Sequence, residues 1–281
     1  MAMLAVTSGS SVFAEDTEEY EGKLPFVSDW LNIDLAMVKA TRPVLAEPFM
    51  GLNQFLQRLH AGDTRMDRSI APGLRQIHLT KSGGYTMLWI YLVAHDDEIL
   101  AIQCIQQGDP DWWSRIVPQL LKAWKKTSMV SGDTRITVTR YVNQAKLDEI
   151  LARTLGPQPK VSPEASLKES FDVLVAPFEV TDVGEKCYYS GIKPTGRVAM
   201  DTLCASQRYD LMRAILRGPN PEGRTYAALA LLEHDKVDSQ DATVIQKLKS
   251  LSIPIQVCRG CIVSRKKFAD IIAATEAKKA H

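Results

Sequence analysis

The chain is predicted to be α+β in its first half and all-α in its second. Three observations carry this. A run of alternating and apolar segments between Leu74 and Gln107 is punctuated by turn residues, as antiparallel strands are. Amphipathic stretches at helical spacing flank that run on both sides. After a proline-bearing segment at 157–166, strand periodicity stops and helical patterns follow one another to the C-terminus. The expected organisation is therefore an α+β domain over 24–156, a linker over 157–166 and a helical domain over 167–280.

Element by element, Phe26, Trp30, Ile33, Leu35 and Val38 predict a helix that Pro43 should end. Phe49, Leu52, Phe55, Leu56 and Leu59 predict a second, and Gly62 to Gly73 reads as a polar loop. "LRQIHLT" alternates, "GG" punctuates, and "YTMLWIYLVA" is apolar on both faces, which suits a central strand covered by helices. "HDDE" marks the next turn and "ILAIQCIQQ" the return strand. Asp109 to Trp124 predicts a helix with Trp113, Ile116, Leu120 and Trp124 on one face, and "TRITVTRYV" a further strand. Asn143 and Gly156 have the chemistry of a helix cap and a helix stop. In the second half, helices are expected over 166–175, 196–205, 209–217, 221–234 and 238–251, with a last one through Phe268, Ile271 and Ile272.

Within this half, "YDLMRAILRGPNPEGRTYAALALLEH" reads as a helix, a Pro-Asn-Pro turn and a helix with a small-residue face at Ala227, Ala228 and Ala230. This unit, about Tyr209 to His234, resembles one HEAT-type helical hairpin. The resemblance implies a HEAT-like helical domain and a binding surface rather than a catalyst. No second copy follows at the ~40-residue spacing of such arrays.

Composition narrows the function. Lys plus Arg number 34 against 33 for Asp plus Glu, so no global positive field draws the chain to nucleic acid. No stretch approaches the ~20 apolar residues that span a bilayer. "MAMLAVTSGSSVFAED" passes from apolar to small residues and ends at Ala14 before an acidic cluster, the pattern of a signal-peptide remnant over 1–14. A periplasmic or secreted location, and disulfides, are the expectation; a cytoplasmic one follows if that segment is not a signal.

Chemistry-bearing residues are few. No P-loop, G-x-G-x-x-G or G-x-S-x-G is present. Of five cysteines, Cys104 lies in an apolar strand, leaving Cys187, Cys204, Cys258 and Cys261 as candidate disulfide or thiol residues. Four cysteines allow three pairings. Either Cys258–Cys261 closes locally beside Cys187–Cys204, or cross-links tie the C-terminal segment back onto the helices. Arg259, Arg265, Lys266 and Lys267 favour a thiolate near Cys258 and Cys261, the basis of a thiol–disulfide reading. Zinc needs about four ligands, and a single C-x-x-C does not supply them. His95, Asp96, Asp97 and Glu98 offer a metal-enzyme alternative, although Asp-Asp at a hairpin turn is ordinary turn chemistry. "AWKKTSM" and "SRKK" read as solvated helix faces. Trp112 and Trp113 are adjacent and cannot share a helical face, which makes one a candidate binding anchor. The expected function is a non-enzymatic module that binds another protein, with no cofactor and no catalytic, cofactor-binding or metal residues.

Overall fold

A computed structural model describes residues 29–46, 51–59, 64–84, 86–107, 127–131, 136–178 and 180–279. The signal-peptide reading, the helix expected after Asp109, and both Trp112 and Trp113 lie outside these residues.

Six antiparallel strands form the first half's sheet: β1 (Thr64–Ala71), β2 (Leu74–Ser82), β3 (Met87–His95), β4 (Glu98–Gln107), β5 (Thr127–Ser131) and β6 (Ile136–Val142). Their order is β1-β2-β3-β4-β6-β5. β1 lies where a polar loop was expected: Met66, Arg68 and Ile70 are its alternating buried positions, and the charge at Arg68 hides the strand alternation. Pro72-Gly73 turns β1 into β2, with Gly73 at φ +70°, and Asp96 adopts φ +52° in the turn from β3 to β4. β4 is buried at six consecutive positions, Ile99 to Cys104, as a central strand requires. β5 takes up Thr127, Ser128 and Met129 of the segment expected to be a helix face, and pairs with β6 at the sheet edge.

The two faces of the sheet differ in chemistry. One face is apolar. Ile77, Leu79, Leu88, Ile90, Leu92, Ile102 and Cys104 meet Val44 and Leu45 of α1 (Asp29–Ala46) and Leu52 and Phe55 of α2 (Leu52–Arg58). Pro43 lies inside α1 rather than ending it; only three residues follow, so the lost hydrogen bond falls in the last turn. The other face carries Arg68, Gln76, His78, Tyr91, Gln103 and Arg140, cross-strand neighbours in the register. Burial first, and the Arg68 guanidinium second, lower His78 to about 3, so its imidazole is neutral.

The helices are α3 (Gln144–Leu155), α4 (Ala165–Val175), α5 (Thr195–Ala205), α6 (Tyr209–Leu216), α7 (Pro221–Glu233), α8 (Ser239–Ser250) and α9 (Phe268–Lys279). The caps act as their chemistry dictates: Asn143 accepts from the Lys146 N–H, Asn220 from the Gly223 N–H ahead of Pro221, and Asp238 forms a capping box with Asp241. The second half is not all-α as expected. A hairpin of β7 (Pro254–Arg259) and β8 (Ile262–Lys267) stands between α8 and α9, so "SRKK" is strand, not helix. β8 is exposed along its whole length and therefore lacks the alternation that marks a strand in sequence. The HEAT-like domain is likewise not what the packing supports. α7 is buried from Pro221 to Ala228 and is surrounded by α4, α5, α6, α9 and β7, where a repeat hairpin would leave a face open.

One hydrophobic cluster joins Ile70, Leu74, Val93 and Leu100 of the sheet to Leu151, Leu174, Met212, Tyr226, Leu231 and Phe268 of the helices. Polar bonds are buried within the same contact. Arg68 of β1 meets Glu222 at the start of α7 through two bonds of 2.6 and 2.7 Å. Arg68 also donates to Gln76 Oε1 (2.8 Å) and to the Pro254 carbonyl (2.8 Å). Gln76 Nε2 donates to the Pro177 carbonyl at 2.7 Å. Arg224, fully buried, donates to the carbonyls of Ile70 (2.6 Å) and Gly218 (2.5 Å).

Removing one partner of a buried ion pair strands the other, at a cost of about 3–5 kcal/mol. Arg68→Met is therefore expected to lower stability by about that amount in urea unfolding, and Arg68→Met/Glu222→Leu to recover most of it. A double variant as unstable as the single would show that the pair is not the source.

Candidate functional site

β7 alone is a short strand with Gln256, Val257 and Cys258 at its centre. Its inner edge is completed by the segment 181–192, "TDVGEKCYYSGI", which runs parallel beside it. The Val183 N–H donates to Gln256 O (2.8 Å) and the Cys258 N–H to Val183 O (3.1 Å). Further on, the Gly260 N–H donates to Lys186 O (3.2 Å) and the Tyr188 N–H to Gly260 O (2.7 Å). Gly260 sits at φ +56° in the two-residue connection to β8, a conformation glycine adopts without strain.

This alignment places Cys187 against Cys258, with Cα atoms 5.5 Å apart, and the two form a disulfide. Cys204 of α5 and Cys261 at the hairpin turn are free; Cys261 is exposed, and Cys204 is half-buried with its thiol pushed up, chiefly by burial. Cys104 is buried in β4, and burial pushes its thiol far up. The bridge thus joins the C-terminal hairpin to the non-helical segment ahead of α5 and leaves Cys204 and Cys261 unbridged.

A carboxylate completes the cluster. Asp182 is buried, and its ligand oxygen lies within 4.8 Å of both Cys187 Sγ and Cys258 Sγ. It accepts from Gln256 Nε2 (2.7 Å) and from the Tyr188 hydroxyl. The Tyr226 hydroxyl of α7 donates to the Asp182 carbonyl (2.7 Å) and accepts from the Gly184 N–H (3.1 Å), fixing the segment to the helical core. Gly184 passes so close to the bridge that a Cβ there would stand 2.7 Å from Cys258 Sγ. Asp182 was missed in sequence because nothing in "TDVGEKC" ties it to Gln256, seventy-four positions away.

Beyond Cys187 the chain makes a tight reversal. The Cys187 N–H donates to Ile192 O (2.9 Å), and Tyr188 and Gly191 both adopt positive φ. The reversal projects Tyr189 into solvent, 98 % exposed. Tyr188, Ile192, Val198, Ile262 and Val263 are exposed as well, so six of the seven exposed large hydrophobics among the described residues lie on this loop, α5 or the start of β8.

The polar groups of the His95–Glu98 turn meet partners within the protein. The Asp97 carbonyl and carboxylate accept from the Leu52 and Asn53 N–H groups (2.7 and 2.8 Å), capping α2. Glu98 faces Lys146 at 3.8 Å and His95 faces Asp96 at 3.4 Å. Among the described residues, the group of ligand atoms that converges is Asp182, Cys187 and Cys258.

No family model, no curated protein and no solved structure matches this chain.

The bridge closes a loop between positions 71 apart, which by chain entropy contributes about 4 kcal/mol. Cys187→Ala/Cys258→Ala is expected to lose about 2–5 kcal/mol of unfolding free energy, whereas Cys261→Ser should lose none. Chemical denaturation of both variants checks this.

Proposed function

We propose that the protein is an exported, non-enzymatic binding module, and that it takes an extended, acidic segment of a partner protein as an added strand along β8. The observation that carries this reading is β8 itself. All six of its residues are exposed, and among the described residues its sheet holds only β7 beside it. The opposite edge of β7 is already covered by 183–188. An uncovered strand edge is a template for main-chain pairing.

Side chains select the partner's chemistry. Ile262 and Val263 offer apolar contact at one end, with Tyr188 and Tyr189 on the adjoining loop. Arg265, Lys266 and Lys267 make the other end basic. Lysines on an edge repel a second copy of the same edge and attract carboxylates, so they favour an acidic strand over self-association. Aromatic anchors of low side-chain entropy beside the edge suit a protein ligand. Export is supported by the disulfide, which persists in oxidising compartments. No helix among the described residues is long and apolar enough to cross a membrane.

Titration with an extended acidic peptide such as Glu-Val-Glu-Val-Glu-Thr should shift the backbone amide resonances of residues 262–267 first. Lys266→Glu/Lys267→Glu should weaken binding at least about tenfold, a loss of roughly 1.4 kcal/mol. Shifts confined to another face, or unchanged affinity after charge reversal, would sink the assignment.

Export is tested on the protein recovered from its producing cell. Its N-terminus is expected near Glu15, with a Cys187–Cys258 linked peptide under non-reducing conditions. An intact Met1 with free thiols would count against it.

A further inference from the structure

We infer that the Cys187–Cys258 pair has a second state. With the bridge reduced, Asp182, Cys187 and Cys258 form a binding site for a thiophilic divalent cation of the zinc class, and Cys261 supplies the fourth ligand. This goes beyond the binding-module reading and does not depend on it.

The donor set fits such an ion. Two sulfurs and a carboxylate oxygen lie within 4.8 Å of one another, and all three residues are buried. Ligands at about 2.0–2.3 Å from a tetrahedral metal stand some 3–4 Å from each other, so these three donors are already near ligand spacing, whereas the exposed Cys261 must turn in from the hairpin to join them. Cys258 and Cys261 have the C-x₂-C spacing of zinc-binding hairpins, and they flank a turn built on Gly260 at φ +56°. The wall beside the sulfurs is glycine, and a Cβ at Gly184 would come within 2.7 and 3.3 Å of them.

The carboxylate gives the second line of argument. Asp182 is 4 % exposed, and the side chains that bond it, Gln256 and Tyr188, are both neutral. Among the described residues no cationic side chain bonds this carboxylate, so a cation between it and two thiolates would be its only oppositely charged partner. The same bonds orient Asp182, as partners outside the ligand set orient metal-bound carboxylates.

The chemistry balances with a dithiol as reductant. One reductant thiolate attacks a bridge sulfur and the S–S bond breaks. The mixed disulfide is then displaced by the reductant's second thiol. Two electrons and two protons have passed to Cys187 and Cys258, and the reductant leaves as its own disulfide. The cation then replaces the protons of Cys187, Cys258 and Cys261, so binding releases protons and strengthens as pH rises.

The test uses the full-length protein, reduced with dithiothreitol, desalted under anaerobic conditions and checked for retained helical circular dichroism. Cobalt(II) is the probe. The expected result is a sulfur-to-cobalt charge-transfer band with tetrahedral d–d bands, saturating at a single equivalent and abolished by zinc. Asp182→Asn should weaken cobalt binding at least about tenfold. Cys261→Ser should weaken it with a smaller charge-transfer band, Cys204→Ser should not change it, and the oxidised protein should show no band. The inference is overturned if the reduced protein gives no band, folded or not. It is equally overturned if Asp182→Asn and Cys261→Ser titrate like the parent, or if Cys204→Ser removes the signal.

Discussion

The contact between Arg68 and Glu222 is the constraint on which most of the molecule hangs. Both side chains are buried, and a bidentate guanidinium–carboxylate pair tolerates little misalignment. It fixes where the N-terminus of α7 sits on β1. Glu222 also accepts the Gln256 N–H (3.2 Å), and Arg68 donates to the Pro254 carbonyl, so the same pair positions β7. β7 in turn aligns the segment 183–188, and that alignment sets Cys187 opposite Cys258. The disulfide is thus downstream of an ion pair it never touches.

Buried ions are poor sources of stability, because desolvation offsets much of their attraction. Here their distribution suggests specificity instead. The sheet face toward α1 and α2 is apolar, whereas the face toward the helices carries Arg68, Gln76, Gln103 and Arg140. An apolar face accepts many registers of a helix. A face that must satisfy Arg68, Gln76 and the carbonyl of Ile70 accepts few. Arg224 shows how far this goes: burial, and then the nearby Arg68, lower its guanidinium to about 9.

Around the bridge, order and exposure are combined. The reversal at 187–192 is held by the bridge, by its own Cys187–Ile192 bond and by the bond of Tyr188 to Gly260, yet it presents Tyr189 and Ile192 to solvent. Rigid support under exposed apolar groups lowers the entropy lost on binding. The adjoining β8 adds an uncovered strand edge with a basic end.

Sequence by itself determined the local features. The turn at 95–98, the cap at Asn143, the stop at Gly156 and the central apolar strands follow from dihedral preference, cap chemistry and periodicity, which act within a few residues. Helices α4 to α9 were legible for the same reason. What lay beyond reach was decided by contacts between distant positions. β8 has no buried face to impose a period, the pairing of Cys187 with Cys258 spans 71 positions, and Asp182 joins the site through Gln256. Arg68 and Glu222 read as surface charges until the fold removes them from water, 154 positions apart. Only the tertiary structure brings such residues together, because the energy that specifies them exists only after the chain has closed.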